Sequence, residues 1–349
     1  MNPILHCEKL TRDFTQRGRR LRRMTTRALD ALTVSIAPGE AVGYIGANGA
    51  GKSTTIKMAT GILRPTSGLV RTCGLDPMAH RIELARQVGV VFGQRSQLWW
   101  DLPTAESFTI LAATHRLDAV RARARTAELV ERLDLASFLR TPVRRLSLGQ
   151  RMRAEIAAAL LHEPRLLILD EPTIGLDVLV KARLREFLRE QRREHGTTLL
   201  LTTHDMGDIE RLCERILLVD TGRLVYDGDL AGLARRVGVR RVLTVDLAAP
   251  MAQLPPLLAA DGAPLPVTAL PGTGAADGAG LRHRLAFDAE AVSPAALIAA
   301  LSAQVEIGDL AIEEPAIEDV VARVYASRAG DSGSGSGSGS EGRHGSAQR

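Results

Sequence analysis

The stretch "AVGYIGANGAGKSTTIKMATGIL", residues 41–63, decides the fold. An apolar run of strand character (AVGYIG, 41–46) passes through "GANGAGKST" (46–54) into a helical segment, "TTIKMATGIL" (54–63). This is the pattern G-x-x-x-x-G-K-[ST], placed where it must be, after a strand and before a helix. Along Gly46, Ala47, Asn48, Gly49, Ala50 and Gly51 the small residues let backbone N–H groups wrap phosphates, aided by the dipole of the helix that Thr54 enters. Lys52 brings a charge to the β- and γ-phosphates, and the Ser53 hydroxyl fills part of a Mg2+ octahedron.

Outward from this loop, residues up to about 230 alternate strand-like and helix-like segments with short turns, the pattern of an α/β domain. "RLLILDEP" (165–172) and "TTLLLTTH" (197–204) read as buried strands. "RAEIAAALL" (153–161) and "VKARLREFLREQRREHG" (180–196) read as amphipathic helices, the second ending at Gly196. Residues 95–150 lack strand runs and look helical. The apolar run 166–169 puts Asp170 at a strand's C-terminal end, where it can orient Mg2+, and Glu171 beside it suits the polarising of an attacking water. In "LSLGQ" (146–150), Ser147 is a natural N-cap and Gly149 permits close backbone approach; the same geometry is both a helix cap and an anion site.

In chain order these pieces are a P-loop (46–54), a glutamine in the following loop (Gln94), LSLGQ (146–150), a carboxylate-ending strand (166–171), IGLD (174–177) and the histidine of "TTHD" (His204). Together they resemble the ATPase subunit of an ABC transporter over almost all of residues 4–230. The resemblance implies a P-loop ABC ATPase domain, a RecA-like core with a helical subdomain, that binds ATP and Mg2+. It further implies that Gln94 senses Mg2+ and the water, that His204 holds the γ-phosphate, and that Ser147, Gly149 and Gln150 meet the nucleotide of another subunit. The signature departs from the family's usual L-S-G-G-Q at Leu148. Phe14 is the aromatic nearest the adenine-stacking position, with an ordinary core Phe as the alternative. One P-loop and one signature per chain imply a head-to-tail dimer of two copies, or of a copy and a paralogue, with Asp177 at the junction.

After "GRLVYDGD" (222–229) the texture changes. Strands are expected at 240–247, 266–270, 281–288 and 305–313, with helices at 251–260 and 294–304: the order β-α-β-β-α-β of a ferredoxin-like arrangement. The expected domains are thus an ATPase domain (4–230), an α+β accessory domain (238–328) and a Gly/Ser-rich tail (329–349) too poor in apolar residues to order itself.

Both tryptophans stand side by side in "VVFGQRSQLWWDLPT" (90–104), in a chain with only 3% aromatics. Trp99 and Trp100 in so polar a stretch read either as a surface that touches something or as a pair folded back on its own domain. By the resemblance, this is where a permease inserts a short helix.

The charge of +5 invites a nucleic-acid or anionic-membrane reading. Only four of the 45 basic residues are lysine (9, 52, 57, 181), however, an arginine bias that goes with the Ala- and Gly-rich composition. The one concentrated run, 17–23, reads as a solvated charge run in a polar loop rather than a phospholipid or nucleic-acid patch, so no nucleic-acid partner is expected. Three scattered cysteines suit a reducing compartment rather than a disulfide framework. No apolar run approaches the length of a membrane span and no signal-like run follows Met1, so a peripheral place on the cytoplasmic face of a bacterial membrane is expected, reached through integral-membrane permease partners. "PTIGLDV" (172–178), the Trp loop and "EEPAIEDVVARVY" (313–325) resemble the exporter class with separate permeases, which includes drug, antibiotic and polysaccharide exporters. The rival reading is a non-transport ABC ATPase acting on ribosomes or nucleic acid. Ribosome-acting members carry two ATPase halves per chain, and DNA-repair members insert long coiled coils for which residues 55–145 leave no room. A GTPase is disfavoured because no lysine stands in an N-K-x-D context.

Overall fold

The computed structural model describes residues 2–17, 23–93, 95–203, 205–236, 240–259, 262–270, 280–288, 291–313, 320–321 and 323–324, with only the backbone of 16, 17 and 23. Gln94, His204, the loop 271–279 and the tail 331–349 therefore lie outside the described residues. The chain divides into two compact units, Met1–Leu230 and Ala231–Arg349.

The first unit opens with the long hairpin β1 (Leu5–Arg17) and β2 (Arg23–Ile36). Then come β3 (Ala41–Gly46), α1 (Lys52–Ala59), β4 (Ser67–Thr72), α2 (Arg81–Ala85) and β5 (Val88–Val91). A helical stretch follows, with α3 (Thr104–Thr114), α4 (Ala119–Arg132) and α5 (Leu148–Leu160). The chain returns to the sheet through β6 (Leu166–Asp170), α6 (Val178–His195), β7 (Thr198–Thr202), α7 (Met206–Leu212), β8 (Arg215–Asp220) and β9 (Arg223–Gly228), and α8 (Leu230–Arg236) comes last.

Two sheets carry this unit. β2-β1-β4 is antiparallel; β5-β6-β7-β3-β8-β9 is parallel except for its last pair. β6 and β7 are near-continuous Leu/Ile runs because both faces of this sheet are buried. The main core joins the two sheets, with Leu5, Leu10, Leu29, Tyr44, Ile56, Ile168 and Leu217 all buried. α6 starts and stops where its sequence directs. Asp177 accepts the Val180 N–H at 2.9 Å as N-cap, and Gly196 closes the helix in the left-handed conformation at φ 64.

Polar contacts join the helical stretch to the sheet-bearing core. Arg125 on α4 is buried and donates to Gln191 of α6 at 2.7 Å, and Arg132 pairs with Glu190 and Glu194. His115, at the end of α3, stacks on His162 with ring centroids 4.0 Å apart.

The second unit holds β10 (Arg241–Leu247), β11 (Val267–Leu270), β12 (Arg282–Phe287), α9 (Pro294–Ser302) and β13 (Ile307–Glu313). Its sheet, β11-β12-β10-β13, is antiparallel throughout. One strand thus lies between β10 and β11, and one between β12 and β13, as in paired split β-α-β units. The helix expected over 251–260 is not formed in its described part. Residues 251–259 run as irregular chain, with Leu258 bridged to Pro264. Pro255 and Pro256 explain the difference: each lacks an N–H, and each pushes the residue before it toward extended backbone. Leu257 of this segment still packs into the core with Leu243, Leu285, Phe287 and Leu301.

Candidate functional site

β3 delivers its chain end into a turn that only glycine can make. Gly49 and Gly51 have φ of 84° and 105°, and a Cβ on Gly51 would fall 2.5 Å from Leu29 Cδ2 and 2.7 Å from the Ala28 carbonyl. At Gly46 a Cβ would lie 2.5 Å from the Val219 carbonyl, so the loop presses against β2 and β8. No side chain caps α1, and its first turn holds no acidic residue. This N-terminus borders a cavity of about 500 Å3 lined by Ala47, Asn48, Gly49, Lys52, Ser53 and Thr54, with Phe92, Gly93, Asp170 and Glu171 opposite. Lys52 Nζ donates to the carbonyls of Gly46 at 2.5 Å and Ala47 at 3.2 Å. Desolvation lowers its pKa, against the pull of Glu171 and Asp170. Lys57, Ile62, Arg95 and Ile174 also line the cavity, and no motif in the sequence assigns Lys57 or Arg95 to it.

At the end of β6, Asp170 accepts a hydrogen bond from Thr202 Oγ1 at 2.5 Å, and the Glu171 N–H donates to the Thr202 carbonyl at 2.8 Å. Glu171 has φ 58°, a left-handed backbone that is strained for a side chain with a Cβ. The segment after β5 approaches closely: a Cβ on Gly93 would lie 3.0 Å from the Asp170 carbonyl. Gly93 and Arg95, the neighbours of Gln94, thus border the same cavity as both carboxylates. Beside His204, the Thr203 hydroxyl accepts the Asp205 N–H at 2.9 Å, and Lys181 holds Asp205 at 2.6 Å. A hydroxyl, two carboxylates, a lysine and an uncapped helix end match an oxyanion chain with a hard, oxygen-liganded cation.

The signature residues lie elsewhere. Ser147 and Gln150 form a capping box at the start of α5: Ser147 Oγ accepts the Gln150 N–H at 3.2 Å, and Gln150 Oε1 accepts the Ser147 N–H at 2.9 Å. Against this turn packs the 174–177 loop. A Cβ on Gly149 would meet Leu176 Cδ2 at 3.1 Å, and one on Gly175, which has φ 71°, would meet Leu148 Cδ2 at 2.3 Å. Leu148, Ile174, Val178 and Leu179 are each exposed, Val178 at 80%. None of Ser147, Gly149, Gln150, Asp177 or Phe14 lines the cavity. Phe14 sits on β1 with the Arg12 guanidinium 4.7 Å above its ring.

Trp99 and Trp100 are 40% and 51% exposed, while Leu98 beside them is buried. The pair stands on the surface. A second cavity, about 710 Å3, lies in the C-terminal unit beside β11 and β12 and contains none of the candidate residues. No described helix is long and apolar enough to cross a membrane.

A family model described as ABC transporter matches residues 29–174. The chain is 38% identical over 216 residues to the daunorubicin resistance ATP-binding protein DrrA3 of Streptomyces coeruleorubidus, covering 62% of this chain and 68% of that protein. It is 30% identical to the ABC transporter ATP-binding protein NatA of Bacillus subtilis, covering 61% of this chain and 86% of NatA. With the Nod factor export ATP-binding protein I of Paraburkholderia xenovorans it shares 39% identity, over 57% of this chain and 65% of that protein's length. Among solved structures, a dimeric ATP-binding cassette in a post-hydrolysis state with ADP and Pi superposes with a TM-score of 0.58 at 26% identity, covering 64% of this chain and 98% of the other. The open P-loop cradle, the carboxylates facing it and these relatives agree: the chain belongs to the ATP-binding proteins of ABC transporters, Mg2+-dependent ATPases whose cassettes work as dimers.

Proposed function

We propose that this chain powers an exporter whose membrane permeases are separate polypeptides, and that it sits peripherally on the cytoplasmic face of the membrane through them. The names of the daunorubicin resistance and Nod factor export relatives support the direction of transport. In this reading the backbone and side chains of Gly46–Thr54 bind the phosphates, and Lys52 turns from the Gly46 carbonyl to the β- and γ-oxygens. Ser53 and Asp170, with Gln94, would hold Mg2+, which would supply charge neutralisation for the phosphates. Glu171 orients and deprotonates the attacking water, while His204 steadies the γ-phosphate. Phe14 stacks on the base with the ring face opposite Arg12.

One observation carries this reading. The cavity beside the P-loop is lined by no signature residue, while Leu148 of the signature stands exposed, as does Ile174, which opens the 174–177 loop at the cavity's edge. A second copy or a paralogue, head to tail, supplies Ser147, Gly149 and Gln150 to the nucleotide and brings Asp177 to the junction. Trp99 and Trp100 then receive the permease, since two aromatics anchor a contact worth about 2 kcal/mol or more at small entropic cost.

The test is capture of partners by the tagged full chain from detergent-solubilised membranes of its host. A polytopic membrane protein should co-elute, and replacing both tryptophans by Ala should reduce its recovery. Recovery of ribosomes or nucleic acid in its place would overturn the reading.

A further inference from the structure

Two side chains one helical turn apart on α5, Arg151 and Glu155, hold the loop that runs from Ser96 to the tryptophans. Glu155 is 4% exposed, the one charged side chain among the buried residues of α5, which are otherwise Met152, Ile156, Leu160 and alanines. Its Oε1 accepts from Ser96 Oγ, and its Oε2 accepts the Gln97 N–H at 3.1 Å. Gln97 returns a bond from its side-chain amide to the Glu155 carbonyl at 3.0 Å. Ser96 Oγ also accepts the Leu98 N–H at 3.1 Å, which folds the loop back toward Trp99. At the loop's far end the Arg151 guanidinium lies 5.6 Å from the ring centre of Trp100. Residues four apart share a helix face, so α5 meets both ends of the loop with one face.

The energetics argue that this carboxylate is there for geometry. A buried carboxylate costs free energy unless its oxygens are hydrogen-bonded, and an apolar side chain would suit this helix better. Burial pushes the Glu155 carboxyl up, and the bonds from Ser96 and Gln97 work against that. The helix so anchored begins at Ser147, the residue that reaches the second copy's nucleotide. The loop so anchored ends in the exposed tryptophan pair.

We propose that Glu155, assisted by Arg151, is a positioning residue that makes the Trp99–Trp100 loop move as one body with the signature helix, so that closure of the nucleotide-bound dimer reaches the permease-facing surface. The proposal rests on the reading above of where the nucleotide and the permease bind. Glu155 touches neither.

The chain's only two tryptophans lie in this loop, so the emission of the full-length protein, excited selectively at tryptophan and not at its three tyrosines, reports on it alone. Addition of Mg2+-ATP to the wild type should change that emission. Glu155→Ala should still bind ATP but lose the change, and Ser96→Ala, made at an exposed position, should do the same from the loop side should the first variant fold poorly. Glu155→Gln should keep the change, because its amide can donate to Ser96 Oγ while its oxygen accepts the Gln97 N–H. A wild-type emission indifferent to ATP, full change in Ser96→Ala or Glu155→Ala, or loss in Glu155→Gln equal to that in Glu155→Ala would each overturn the proposal. Permease capture fails or succeeds independently of this signal. Normal capture by the double tryptophan variant would therefore sink the docking reading while leaving the coupling intact.

Discussion

Two helix N-termini in one domain, α1 and α5, meet the same ligand by the proposed reading, and they are built in opposite ways. α1 begins without any side-chain cap, behind glycines whose φ values of 84° and 105° bring the backbone around an open cavity. α5 begins with a closed capping box in which Ser147 and Gln150 satisfy one another. The first is a site already shaped for an anion, with donors in place before the ligand arrives. The second is quiet until a phosphate competes with its own Ser147 for the helix end. By that reading the two have different tasks: α1 fixes affinity in one chain, and α5 answers only when two chains close.

Changes on the α1 side should therefore act on a single chain. Glu171→Gln should lower steady-state turnover by about a hundredfold or more while leaving ATP bound, because a positioned base is lost but the cradle is not. A coupled ATPase assay beside sedimentation should show an ATP-trapped dimer. Lys52→Ala should weaken ATP binding by about tenfold to a hundredfold, the worth of a charge-assisted bond, even at concentrations where the protein is monomeric. Calorimetric titration of dilute protein measures this.

On the α5 side the effects should be smaller and should depend on pairing. Gly175→Ala places a Cβ at φ 71° and against Leu148, for a loss of about 1–2 kcal/mol of stability and a weakened ATP-induced dimer. Thermal melting of this variant, with Leu148→Ala added to relieve the contact, separates clash from backbone strain. Ser147→Ala removes the cap, at about 1 kcal/mol, and should leave the ATP affinity of the monomer unchanged while lowering turnover. Weaker binding by dilute Ser147→Ala would blur the distinction between the two helix ends.

How far the sequence spoke depended on how local each signal was. The P-loop was legible because its backbone turn demands glycine and its lysine and hydroxyl must follow at fixed spacing. β6 and β7 were legible from unbroken apolar runs and α6 from its amphipathic period and Gly196 at its end, while Asp177, which caps its start, was read only as a junction residue. The 251–260 segment was misread because its Ala/Leu content outweighed Pro255 and Pro256, although two missing N–H groups decide against a helix. The tryptophans were legible as an anomaly, and their exposure settles which face they present. Glu155 gave one faint signal, a charge set within "AEIAAALL", and nothing local tied it to Ser96 and Gln97. The His115–His162 stack and the Arg125–Gln191 bond were silent for the same reason, since each joins side chains far apart in the chain. Gln94 and His204 rest on motif order, outside the described residues.

Glu171 occupies a backbone conformation that glycine or asparagine would adopt more comfortably. By the proposed reading, folding and turnover ask for different residues at this one position: an asparagine there would give a sturdier protein that no longer hydrolyses ATP.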